Sequence, residues 1–176
     1  MQEILYIKNM DNKTDYRKYS KELRKTLDIA YKSKILTAKI RKNELYINAK
    51  KVMLFYPMEF EIDLRDLLND DKTFYLPKVS GKSLLACPYS KSLTKSAMGI
   101  MEPDTLPINP CELDLIIVPA LMTDKKGYRL GYGGGYYDRF ITSTDAKTIC
   151  AIPEELTVDE LPYAEHDIKI DCVITA

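Results

Sequence analysis

Five of the seven glycines in this chain fall within the nine residues from Gly127 to Gly135: Gly127, Gly131, Gly133, Gly134 and Gly135. Glycine loses more conformational freedom on folding than any other residue. It is therefore used where backbone must take a positive φ or lie close against a ligand. The run Gly127-Tyr-Arg-Leu-Gly-Tyr-Gly-Gly-Gly-Tyr-Tyr-Asp-Arg-Phe140 interleaves the glycines with four tyrosines, Tyr128, Tyr132, Tyr136 and Tyr137. A flexible linker would be polar and would lack flanking strands. Here Leu113-Asp-Leu-Ile-Ile-Val118 upstream reads as a buried strand stopped by Pro119, and Tyr136 to Ile141 can open a helix. Strand, glycine-rich loop and helix start is a layout that turns backbone N–H groups toward a phosphate. No Gly-Lys-Ser/Thr follows, so the loop is not a P-loop. Gly131 and Gly133 have no third glycine three residues on, so it is not a dinucleotide fingerprint either.

The rest of the chain alternates helical and strand-like patterns. Tyr16, Tyr19, Leu23, Leu27 and Ala30 recur at helical spacing and predict a helix from Lys13 to about Ala30. Its other face would carry a basic stripe of Lys13, Arg17, Lys21 and Arg24. A second helix, with Ser33 as N-cap, would bury Leu36, Ile40 and Ile47. Short apolar strands are expected at Lys51–Tyr56, at Thr73–Leu76 before Pro77, and at Ser83–Ala86. Two more follow at Lys147–Ile152 and Ile168–Ile174. Asp63 is placed to cap a short helix over Leu64–Leu68. Pro88, Pro103, Pro107 and Pro110 make residues 87–112 read as mostly loop. This pattern predicts a single α/β domain over residues 1–176: three layers, α/β/α, with a mostly parallel central sheet and residues 1–12 as an N-terminal extension. Open α/β sheets take ligands beyond the carboxyl ends of their strands, which would bring Tyr56, Glu61 and the glycine loop to one rim.

Composition removes several chemistries. His166 is the only histidine, so histidine-based metal sites are excluded, and no Gly-x-Ser-x-Gly elbow is present. His166 beside Asp167 reads as a loop contact. Cys87, Cys111, Cys150 and Cys172 are widely spaced, as expected of free thiols in a reducing cytoplasm. No apolar run is long enough to span a membrane, and the start of the chain does not have a signal-peptide layout. Lys plus Arg and Asp plus Glu number 26 each, but residues 1–51 hold 14 basic against 6 acidic, leaving 12 against 20 for the remainder. Such a basic segment suits a phosphate-bearing ligand or a solvated helix face. With carboxylates, cations and backbone donors as the inventory, phosphoryl transfer is the chemistry that fits, because it rests on positioning and charge neutralisation.

Arg129-Leu-Gly-Tyr-Gly-Gly-Gly-Tyr-Tyr-Asp-Arg-Phe140, preceded by Ile116-Ile-Val-Pro119, resembles the signature of the 5-formyltetrahydrofolate cyclo-ligase family. Matches in order run along nearly the whole chain. They are Lys13-Thr-Asp-Tyr-Arg17 with Arg24, Tyr56-Pro-Met-Glu-Phe-Glu61, Leu76-Pro77, Glu102-Pro103, and Leu161-Pro162 with His166-Asp167. The resemblance implies a magnesium-dependent cytoplasmic enzyme, monomeric and free of nucleic acid. It would convert ATP and 5-formyltetrahydrofolate into ADP, phosphate and 5,10-methenyltetrahydrofolate through a phosphorylated formyl group. It implies catalytic roles for Arg129, Tyr136 and Asp138. ATP would lie on Lys13, Arg17, Arg129, Leu130, Gly131, Tyr132, Gly133, Gly134, Gly135, Tyr136 and Tyr137. Folate would meet Tyr56, Glu61 and the stretch Tyr132 to Tyr136, with the metal on Asp138 and Asp167. Two positions depart from the family pattern: Gly134 stands where lysine is frequent, and glutamine is often found near the place of Leu156. The competing reading is a degenerate member that binds nucleotide or RNA without turnover.

Overall fold

The computed structural model describes residues 10, 12–97 and 99–176. The expected extension, apart from Met10 and Asn12, lies outside the described residues. Four helices are formed among them: α1 Lys13–Arg24, α2 Ile29–Arg41, α3 Glu44–Asn48 and α4 Tyr136–Ile141. The strands are β1 Lys51–Met53, β2 Thr73–Ser80, β3 Ser83–Pro88, β4 Leu93–Lys95, β5 Met101–Pro103 and β6 Leu115–Ile117. They continue with β7 Met122–Asp124, β8 Arg129–Leu130, β9 Lys147–Ile152, β10 Thr157–Val158 and β11 Cys172–Thr175. The central sheet has the order β11-β9-β6-β1-β2-β3 and is parallel except for β3, so the mostly parallel sheet is as expected.

Successive residues of a strand point to opposite faces, and the two hydrophobic cores follow that alternation. Val52, Leu54, Leu115, Ile117, Ile149 and Ala151 pack with Leu36, Ile40 and Tyr46 of α2 and α3. Met53, Ile116, Val118, Cys150 and Ile152 pack with Tyr16 of α1, Phe140 of α4, and Met122 and Leu130 of the small sheet β10-β7-β8. Layers therefore cover both faces. The carboxyl ends of the adjacent strands β6 and β1 open toward the layer that holds α1, α4 and the glycine loop.

Several local expectations change. The helix predicted to reach Ala30 ends at Arg24, and α2 begins at Ile29. The cause is Asp28, whose carboxylate accepts the Tyr31 amide at 3.0 Å and starts a new helix. Ser33 is thus inside α2 and is not its cap; its hydroxyl donates to the Ile29 carbonyl and accepts the Asp63 amide. Ala30 is exposed, and Ile47 is 57% exposed because α3 turns Tyr46 inward instead. Asp63 does accept the Arg65 amide at 3.0 Å, although the segment after it, Arg65–Asn69, is a 3-10 turn.

Pro77 does not stop β2, which runs on to Ser80. The Phe74 carbonyl accepts the Tyr89 amide, so the alternate residues Tyr75, Pro77 and Val79 direct their nitrogens away from β3. On that side β1 has already ended, and the missing N–H of Pro77 has no partner to lose. Residues 87–112 are also more ordered than their prolines indicate, because β4 and β5 pair as an antiparallel hairpin.

Leu115→Ala should cost about 2–5 kcal/mol, since Leu115 is wholly buried between α2 and the sheet. Ile47→Ala should stay within about 0.5 kcal/mol of the parent. Urea midpoints at unchanged m-value check both; a large loss for Ile47→Ala would contradict the turn of α3.

Candidate active site

The glycine loop follows β8, not β6, because the β7–β8 hairpin intervenes after Pro119. Gly133 (φ 104°) and Gly135 (φ 63°) take left-handed backbone, and Gly135 is the residue from which α4 starts. A side chain at Gly133 would also come into van der Waals contact with the Arg17 guanidinium, whose Cζ would lie 3.4 Å from the added carbon. At Gly134 the φ is unexceptional, but an added Cβ would meet the ring of Tyr136 at 2.7 Å. The place of the frequent lysine is therefore backed by an aromatic ring.

Helix α1 docks on this loop with its first two turns. Arg17 Nε donates to the Gly131 carbonyl at 2.9 Å, and one turn earlier Lys13 Nζ pairs with Asp167 Oδ2. The same carboxylate oxygen accepts the Ala164 amide at 2.6 Å. Burial works to raise the Asp167 carboxyl. The Lys13 ammonium, the Ala164 amide and the charge of His166 outweigh it and hold the carboxyl below its ordinary value. Arg129, with only 3% of its side chain exposed, donates from Nη2 to Asp138 Oδ1 at 3.0 Å and lies over the Tyr137 ring. Its buried Nε has no hydrogen-bond partner among the described residues.

The facing wall is a fastened turn. Glu61, 6% exposed, accepts the Met58 amide on Oε2 at 2.7 Å and the Tyr132 hydroxyl on Oε1. Burial, and then the charge and hydrogen bond of Glu61, push the Tyr132 hydroxyl upward, so it stays a proton donor at neutral pH. Between Met58 and Glu61, Phe60 takes a left-handed φ of 62°. Arg24 Nη1 donates to the Phe60 carbonyl at 3.1 Å, and Nη2 donates to the carbonyls of Ala120 and Leu121. Arg24 is therefore no member of an exposed basic stripe. The helix turns it inward, and it is 4% exposed.

Between these walls lies a cavity of about 550 Å³. The residues to which the resemblance gives catalytic, substrate or metal roles border it: Lys13, Arg17, Tyr56, Glu61, Arg129 through Asp138, and Asp167. His166, read as a loop contact, borders it too. Sequence reasoning missed the apolar wall of Pro77, Val79, Leu84 and Ile100, and the buried Glu102 within it. Reading Pro77 as the end of β2 concealed that wall.

Among the described residues no group of three or more His, Cys, Asp or Glu could hold a metal ion. Asp138 and Asp167 each use one oxygen, and the second has no hydrogen bond to a described residue. Two such carboxylates suit magnesium, which binds through one or two carboxylates together with substrate phosphates and water.

The family model described as "5-formyltetrahydrofolate cyclo-ligase family" matches residues 10–176. The chain belongs to that family. Its members are ligases that form a cyclic C–N bond. The mouse 5-formyltetrahydrofolate cyclo-ligase is 29% identical over 164 residues, covering 81% of each chain. The Escherichia coli K12 cyclo-ligase is 30% identical, covering 73% of this chain and 79% of its own. The NMR structure of the 5,10-methenyltetrahydrofolate synthetase of Aquifex aeolicus is 30% identical and superimposes with a TM-score of 0.83, covering 93% and 89%. A Mycoplasma pneumoniae 5,10-methenyltetrahydrofolate synthetase, at 21% identity and a TM-score of 0.75, shares the fold. Among the described residues, no helix is long and apolar enough to cross a membrane.

The depressed Asp167 carboxyl carries a pH signature. A carboxylate held below its ordinary pKa contributes stability that is present above that value and lost as pH falls through the folded-state pKa. Asp167→Asn should therefore be less stable than the parent at pH 7. The gap should begin to narrow below about pH 4 and vanish as the pH falls through the lowered folded-state pKa. Urea midpoints of the two proteins across pH test this, and a gap that persists unchanged at low pH would mean that the Lys13 pair contributes nothing.

Proposed function

We propose that this chain catalyses the ATP-dependent cyclisation of 5-formyltetrahydrofolate to 5,10-methenyltetrahydrofolate, releasing ADP and phosphate. The observation that carries the proposal is the single cavity that joins the glycine loop and the α1 cations on one side with the Glu61–Tyr132 clamp on the other. The formyl oxygen attacks the γ-phosphorus and ADP departs. N10 then closes on the activated carbon, and phosphate leaves with the former formyl oxygen. An amide-like oxygen is a weak nucleophile, so holding the two substrates together supplies much of the rate.

The chain's own residues divide that work. Backbone amides of Gly131–Gly135 and the Nη groups of Arg17 hold the triphosphate. Lys13 adds a point charge one helical turn away. Arg129, desolvated against Tyr137, faces the charge that develops on the transferred phosphoryl. Glu61, aligned by Met58 and Tyr132, accepts pterin N–H groups, and Tyr56 and Tyr136 supply ring surface. Magnesium would be held by Asp138 and Asp167 together with the phosphates, and would neutralise their charge.

Incubation with ATP, magnesium and 5-formyltetrahydrofolate should give methenyl absorbance and phosphate in equal amounts; the absence of both products overturns the proposal. Asp138→Asn should lower turnover about 100-fold or more while the urea midpoint changes little. Glu61→Gln leaves one acceptor for two donors, the Met58 amide and the Tyr132 hydroxyl. Its KM for the folate should rise tenfold or more, about 1–3 kcal/mol, while KM for ATP stays within twofold. Equal weakening toward both substrates would argue for a purely structural carboxylate.

A further inference from the structure

Glu102 stands out among the carboxylates that border the cavity. It is 7% exposed and sits at the centre of β5, in a wall otherwise made of Pro77, Val79, Leu84 and Ile100. Glu61 has two donors, and Asp138 and Asp167 each have a cation. Glu102 has no ion pair among the described residues, and the nearby Lys78 lies 3.6 Å from Asp104. Among the described residues its one side-chain hydrogen bond is from the Val79 amide to Oε1, at 3.2 Å.

That bond explains one oxygen and no charge. The Val79 amide points off the ribbon where β1 has ended, and it needs an acceptor. A glutamine carbonyl would serve it without the cost of burying an anion, which is several kcal/mol when uncompensated. The second oxygen, Oε2, has no partner among the described residues. It is not sealed in the protein either: the wholly enclosed unpaired side-chain atoms are Arg24 Nε, Ser96 Oγ and Arg129 Nε. Glu102 borders the cavity, so a donor group entering the cavity can take the place of water at that oxygen.

We infer that Glu102 is a second substrate-recognising carboxylate, which accepts an N–H donor of the bound folate from the β2–β3–β5 wall. The inference rests on the function proposed above. The chemistry selects this partner over the nucleotide, since an unpaired carboxylate in an apolar wall repels phosphate and rewards a neutral N–H donor. A site built in this way discriminates strongly, because a ligand lacking the donor leaves the buried charge unmet.

Calorimetric titration of the parent and Glu102→Gln with 5-formyltetrahydrofolate and, separately, with ATP tests the inference. Glutamine keeps a carbonyl for the Val79 amide and removes the charge. Binding of 5-formyltetrahydrofolate should weaken at least tenfold and ATP binding should stay within twofold. The urea midpoint should hold or rise, because an uncompensated buried charge has been removed. Unchanged folate binding, or equal weakening toward both ligands, overturns the inference and leaves Glu102 as a brace for Val79. If Glu102→Gln does not fold, Glu102→Asp keeps the charge one methylene back and is read by the same ratio of affinities. A parent that binds no 5-formyltetrahydrofolate defeats the proposed function itself, a result distinct from a parent that binds it and a variant that binds it equally well.

Discussion

The buried guanidinium of Arg24 ties together parts of the chain that no strand pairing joins. It leaves the last turn of α1 and donates to the carbonyl of Phe60 and to the carbonyls of Ala120 and Leu121 beyond β6. A left-handed backbone at a residue as bulky as Phe60 costs about 1–3 kcal/mol and persists only where its surroundings enforce it. Arg24 enforces it from one side, and the Glu61–Met58 hydrogen bonds close the turn from the other. Since Glu61 also takes the Tyr132 hydroxyl, the position of one arginine sets how far the turn stands from the glycine loop. The width of the cavity follows from that separation.

The charged groups of the cavity are arranged so that most are paired across elements. Lys13 of α1 meets Asp167 of the 164–167 turn, and Arg129 of β8 meets Asp138 of α4. Each pair avoids the penalty of a lone desolvated charge, and each also fastens a loop. The 164–167 turn has a second fastening at its base. Tyr163 stacks on Tyr128 with ring centroids 4.3 Å apart, and the Leu161 amide donates to Asp124. Asp167 is therefore presented by a segment held at both ends.

Legibility in the sequence followed how local the cause was. Strand β9 and helix α4 have the bounds expected from their residues, because a β-branched run and a glycine-led helix start are written in neighbouring positions. The glycine loop was legible for the same reason, whereas Lys13, Arg17 and Asp167 were joined to it only by the resemblance to the family and lie far from it in sequence. Features set by distant contacts were not. The inward turn of Arg24 depends on carbonyls that lie nearly a hundred positions away in sequence, a separation of 96 to Ala120. The early end of α1 depends on which of two continuations Asp28 caps, and helical spacing carries on through the break. The continuation of β2 past Pro77 depends on where β1 stops, which the residues of β2 do not state.

That mismatch in length between β1 and β2 also bears on how the cavity is walled. Past Met53 the outer side of β2 has no strand of the central sheet beside it, and Pro77 and Val79 face the cavity and β5 there instead. Of the residues there that direct a nitrogen outward, Pro77 has no hydrogen to donate and Val79 gives its own to Glu102. Neither leaves an unmet backbone donor on that side. The ribbon can in this way wall a cavity without a neighbouring strand of the central sheet on that side, by a proline and by the same carboxylate that faces the cavity.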